Sequence, residues 1–178
     1  MYIAQEKFHS NIVEYILYMF NIEDIIRANK LSIDELDKNV ISKYNLLGDQ
    51  LEEVREWYRI LVSQMKKDAV EETGHIASLN ELIFQLNDLH IELLNTLEEE
   101  RYLEHYNWAS QYIKELKGKM NDPGLTEVAV CLNGLYGYML LKMKGLEVSE
   151  ETSEAISVFT QMLRYLSKKY HLKNSIIR

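Results

Sequence analysis

Apolar residues recur along this chain at spacings of three and four, the period of a helix. The two-residue alternation of a half-buried strand is sustained nowhere. Start and stop signals divide the pattern into about seven helices. The first spans Ile3 to Asn29. Ser32, with Glu35 three residues on, forms a capping box for the second, and Leu31 with Leu36 fits a hydrophobic staple. That helix closes near Tyr44. Asp49 as cap and Glu52 in the box position open the third, which carries Leu51, Val54, Tyr58, Leu61, Val62 and Met65 on one face. Gly74, in "ETGH", stands where a left-handed residue would close it. Ser78 and Glu81 open the fourth, which runs to about Glu99. The fifth runs from about Tyr102 to Lys119, and "NDPG" (Asn121–Gly124) is the clearest turn. The sixth ends at Lys144, stopped by Gly145. Ser149, with Glu150 and Glu151 in its first turn, opens the seventh, which reaches about His171. No repeat recurs at a solenoid period. Short connections between long helices predict antiparallel neighbours. The expectation is an all-α, single-domain antiparallel bundle over residues 1–178, built around the first, third, fourth, sixth and seventh helices.

Composition agrees with that class. The chain is 47% hydrophobic and 27% charged, enough for both a core and a wet surface. One Pro and seven Gly argue against turn-rich sandwiches and barrels. The longest charge-free run, Val128 to Leu141, is shorter than the ~20 residues of a membrane span, so it reads as a core helix and no membrane partner is expected. The N-terminal "MYIAQEKFHS" lacks the basic-then-apolar order of a secretory signal, and the location expected is cytoplasmic. A net charge of −8 disfavours nucleic acid, since phosphate binding needs a cationic surface. The basic stretch from Arg164 to Arg178 is a local exception that suits a helix C-terminus. The single Cys131 lies in an apolar run and reads as a small buried hydrophobe.

Candidate chemistry starts in the first helix. On a helical wheel Ile12, Ile16, Met19 and Ile26 form one stripe, and Glu23 falls inside it. Val13, Leu17 and Phe20 form an edge beside Asp24, and Tyr15, Tyr18, Ile22 and Ile25 line a third. A helix apolar nearly all round is central to its bundle. Glu23 and Asp24 stand four and three residues before Arg27, so both can reach one guanidinium. Burying a lone carboxylate is costly, so an internal ion pair is expected there. His90, between Leu86 and Leu93 on the Leu79–Leu82–Ile83–Leu86–Leu97 stripe, should be buried as a satisfied core histidine. Asp88 faces the other way on the same helix.

Other signals are weaker. Glu72-Thr-Gly-His75 has the Glu-x-x-His spacing, but Gly74 breaks it, so no metal ligand and no cofactor is assigned. Arg101 and His105 stand one residue too close for the Arg-x4-6-His signature of helical RNA-cleaving domains. Phosphate cradles and nucleophile elbows need strands that are missing here. Gly134 and Gly137 interrupt a strong helix at about 1 kcal/mol each against Ala, which points to close approach of another helix or to room for a ligand beside Tyr136. Trp57 at the margin of its stripe suits a core or a subunit interface.

Taken together and in order, "NIVEYILYMFNIEDIIRA", "REWY", Gly74-His75, "LNDLH", "LNGLYGYMLLKMKG" and "VSEET" resemble an uncharacterised family of small helical cytoplasmic proteins from Bacteroidetes, known as a domain of unknown function. The resemblance covers essentially the whole chain and implies an all-α, single-domain bacterial protein. It implies no activity, so it places no role on any residue.

Three readings of function follow. The first is a non-enzymatic interaction or scaffold protein acting as a homo-oligomer, from abundant apolar and aromatic residues and no recognisable reaction centre. The second is a small-ligand-binding protein or enzyme, with Glu23, Asp24, Arg27, Arg55, His90 and Tyr136 as ligand-binding residues. It requires Glu23, Arg27 and His90 to converge. The third is a metalloenzyme. Nothing in the pattern marks a catalytic residue.

Overall fold

A computed structural model describes residues 2–95, 99–120, 122 and 124–176. Among them are eight α-helices and a 3₁₀ turn, and no strand. In order they are α1 (Tyr2–Ser10), α2 (Ile12–Ala28), α3 (Ile33–Asn39), the 3₁₀ turn (Ile41–Tyr44), α4 (Asp49–Lys67), α5 (Ala77–Asn95), α6 (Glu100–Lys119), α7 (Glu127–Met143) and α8 (Glu150–Ile176). No helix among the described residues is long and apolar enough to cross a membrane. The all-α helical bundle is the architecture that the 3.6-residue period dictates.

The chain gathers into two compact units. The first comprises Met1–His9 and Glu14–Glu81, the second Ser10–Val13 and Leu82–Arg178. In the first unit α3, the 3₁₀ turn and α4 pack on one another. Of the expected face of α4, Val54, Tyr58, Leu61, Val62 and Met65 are buried and Leu51 is half-buried, and Ile16, Met19, Phe20, Ile22 and Ile26 of α2 are buried as well. The Tyr58 hydroxyl, in a fully buried side chain, meets that of Tyr44 at 3.0 Å, so the one polar atom of a large core ring is satisfied. In the second unit α6, α7 and α8 pack pairwise. Ala109, Ile113, Phe159, Met162, Leu163 and Leu166 form much of its core.

The helix ends differ from the sequence expectation for local reasons. The first helix is two helices, because Asn11 caps a new one. Its Oδ1 accepts from the Val13 amide at 3.2 Å and from the Ser167 hydroxyl at 2.9 Å, and the Ile12 amide donates to Nε2 of His171 at 3.1 Å. The helix opened by Ser32 does form, with the Glu35 amide 3.4 Å from the Ser32 hydroxyl, but it stops at Asn39 before the 3₁₀ turn. Gly48, not Asp49, occupies the cap position of α4. The end of α4 is Lys67, well before Gly74. There Ala69 takes φ 56°, with its amide bonded to the Lys66 carbonyl at 3.3 Å and the Val70 amide bonded to Met65 at 3.0 Å. These are the two bonds of a Schellman closure, made with Ala where Gly is usual. Gly145 (φ 69°) closes α7 in the same way and in the expected place.

α5 begins at Ala77, whose amide donates to Asp68 Oδ2 at 2.7 Å, and so does not need Ser78 as a cap. Leu97 of the expected stripe, and Asn121 and Pro123 of the expected turn, lie outside the described residues. Within that turn the Gly124 amide donates to Asp122 Oδ1 at 2.9 Å. The stretch Val128 to Leu141 is a core helix only in its first half. Val128–Leu132 are buried, Asn133 to Leu140 are half-buried, and Leu141 and Met143 are exposed.

Candidate functional site

In the first unit the polar residues of α2 hold the segment between α4 and α5. Glu23 is fully buried on the stripe where the wheel places it. Its partner is not Arg27. One carboxylate oxygen meets His75 Nδ1 at 2.6 Å and the other accepts from the Ile76 amide at 2.9 Å. The His75 ring lies flat on Phe20, with centroids 3.8 Å apart and an interplanar angle of 8°. Arg27 instead pairs with Asp24 at 2.9 Å and donates to the carbonyls of Val70 (3.2 Å) and Gly74. The anion and the cation therefore serve the same loop, Glu23 at its α5 end and Arg27 at the carbonyls of Val70 and Gly74. Glu23 accepts from the Ile76 amide and pairs with the His75 ring, and Arg27 donates to the Val70 and Gly74 carbonyls, so both side chains tie the segment down onto α2. The carboxylate on Nδ1 and the Phe20 face together fix the orientation of the His75 ring. Arg55, also in this unit, forms ion pairs with Asp37 at 3.0 Å and with Glu52, and both hold its guanidinium in the charged form.

His90 and Tyr136 belong to the second unit. His90 is buried, as the apolar stripe of α5 predicts, and both ring nitrogens are engaged. Nδ1 lies 2.6 Å from the hydroxyl of Tyr102, itself fully buried, and Nε2 lies 3.0 Å from Glu127. Tyr106 donates to the other oxygen of Glu127 at 3.3 Å. Burial holds the His90 pKa below its ordinary value, outweighing the pull of Glu127 in the other direction, and burial pushes the Tyr102 phenol far up. The ring is thus neutral and the phenol protonated. Tyr102 donates to Nδ1, and Nε2–H donates to Glu127. Periodicity identifies His90, but Tyr102 and Glu127 come from other helices and no spacing links them to it. Tyr136 is half-buried on α7. Gly134 does allow a close approach. A Cβ there would stand 2.9 Å from Leu116 Cδ2 and 3.2 Å from Phe159 Cε2, whereas Gly137 has nothing within 4 Å.

Glu23, Asp24, Arg27 and Arg55 thus share one unit, and His90 and Tyr136 the other. Each of Glu23, Arg27 and His90 has partners within its own unit. Among the described residues, no three His, Cys, Asp or Glu side chains are grouped so that they could hold a metal ion. Cys131 is buried and fully enclosed, and burial raises its thiol pKa well above the ordinary value.

These features define an all-α bundle protein whose polar clusters are closed on themselves. The chain belongs to the family described as Domain of unknown function (DUF4924), whose model matches residues 1–175. No curated protein and no solved structure matches it. The family description assigns no activity.

Proposed function

We propose that this chain is a non-enzymatic interaction protein that self-associates through the C-terminal half of α7. The observation that carries the reading is the mismatch between composition and burial in that half. Its residues are apolar on nearly every side, yet from Asn133 onward none is buried, and Leu141, Met143 and Leu146 are 37, 69 and 50% exposed. A monomer gains little from presenting such a helix end to water, and exposed apolar surface of this kind is what association removes. The occupant is a second copy, because the charges around the patch are self-complementary. Lys142 and Lys144 are followed at once by Glu147, Glu150 and Glu151, all exposed. In a two-fold pairing each copy's lysines oppose the other's glutamates. Membership of a bacterial, Bacteroidetes-type lineage and a cytoplasmic location belong to the same proposal. They are supported by the motif resemblance and by a lone buried cysteine that needs no oxidising compartment.

Light scattering at several concentrations tests the reading. The wild-type chain is expected to be a dimer and the Leu141→Glu/Met143→Glu variant a monomer that keeps the helical circular dichroism spectrum of a folded chain and melts lower only by what association contributes. A wild type that is monomeric throughout, or a variant that still dimerises, overturns it.

A further inference from the structure

Along α6 and α8 the second unit carries two adjoining cavities, of about 150 and 470 Å³, that share Tyr112, Glu115 and Glu151 in their lining. The smaller is floored by Leu116, Ile156 and Phe159 over Gly134 of α7. Because residue 134 lacks a Cβ, Leu116 and Phe159 can settle against the α7 backbone, and their outer faces form an apolar floor. Lys119 lies at the same cavity. The larger cavity is walled by Trp108, which is 65% exposed, and by Tyr112, with Glu154 beside Glu151 at its mouth. Three carboxylates therefore surround one phenol, and among the described residues none of Glu115, Glu151 and Glu154 has an ion-pair partner. The Tyr112 hydroxyl is held above its usual pKa by desolvation first and then by Glu154, Glu151 and Glu115, which places the negative potential at the cavity itself.

An apolar floor, two aromatic walls and an acidic mouth form a combination complementary to one class of ligand. We propose that this groove binds a small organic monocation, an ammonium group carried on an apolar body. The apolar body lies on Leu116, Ile156 and Phe159, and the ammonium lies between Trp108, Tyr112 and the carboxylates. Aromatic faces attract a cation through their quadrupole, and the carboxylates supply its counter-charge. An anion would meet three carboxylates against the single Lys119. A neutral isostere would bury the same apolar area without the electrostatic gain.

Titration of the full chain with phenethylamine, followed by calorimetry and by amide shifts in NMR, tests this. Binding is expected in the millimolar range or tighter, with shifts clustered on α6 and α8. Phenethyl alcohol and phenylacetate should each bind at least about tenfold more weakly. Glu151→Gln/Glu154→Gln should weaken phenethylamine by about tenfold, and Trp108→Ala by about threefold, with circular dichroism melts unchanged since all three side chains are at the surface. The Leu141→Glu/Met143→Glu variant should bind as the wild type does, which separates this site from self-association. Spermine binding as tightly as phenethylamine would reduce the groove to a generic acidic face and overturn the assignment. So would equal affinity for the alcohol, or no binding by about 10 mM.

Discussion

Glu23 shows how far a single residue can be read from its neighbours. The helical wheel puts it inside an apolar stripe, and it is fully buried. The wheel also offers Arg27 one turn away, yet the carboxylate turns to His75 and the Ile76 amide. The reason is demand. The loop brings two donors that would otherwise be shut away from water, while Arg27 can reach Asp24 and two carbonyls at the edge. Glu23→Ala should therefore destabilise the protein by roughly 3 kcal/mol, read from urea unfolding, because it strands the Ile76 amide and the Nδ1 of His75 together. His90 carries a pH prediction. Its folded-state pKa lies below the ordinary 6.5, so the unfolded chain takes up a proton first as the pH falls. The stability that neutral His90 contributes is fully present above about 6.5 and is lost as the pH falls from there toward its depressed folded value. Urea midpoints at about pH 7.5 and 5.5 should differ less in His90→Gln than in the wild type. Cys131, enclosed and with a raised pKa, should react with iodoacetamide only after unfolding.

At the scale of the element, helix interiors are legible throughout and helix ends only in part: Ser32, Ser149 and Gly145 act where the sequence places them, and other ends do not. The apolar face of α4 matches its expected residues because a 3.6-residue period is a property of the sequence itself. The α1–α2 break was missed because apolar residues continue on both sides of Asn11, while the bonds that use it as a cap come partly from Ser167 and His171. The end of α4 was missed because the left-handed closing residue is Ala69, which carries no signal. That substitution has a price. Ala69→Gly should raise stability by about 1 kcal/mol by relieving a left-handed residue that bears a Cβ, and Gly145→Ala should lower it by about as much. Thermal unfolding of the two variants, side by side, checks the pair of opposite signs. A similar contrast separates the two glycines of α7, where Gly134 meets Leu116 and Phe159 and Gly137 meets open space.

Across the whole molecule, charge sets what the chain avoids. At −8 overall, it should leave a random duplex DNA unshifted in a gel at about 150 mM salt and micromolar protein. The acidic excess also has a local expression, in the three carboxylates around the α6–α8 groove, which no motif marked. Glu151 and Glu154 lie one turn apart on α8, while Glu115 on α6 is separated from them by a turn, a helix and a loop and joins them only because α6 and α8 pack together.

The sequence by itself determined the all-α class, the buried stripes of α2, α4 and α5, and the family, because periodicity, propensity and motif order are written in consecutive residues. The tertiary structure decided which partner each buried polar group takes, where helices end when the cap is remote or lacks a glycine, and which half of an apolar helix stays uncovered. Those outcomes depend on donors, acceptors and surfaces brought together from distant parts of the chain, and burial makes each choice costly to leave unsatisfied.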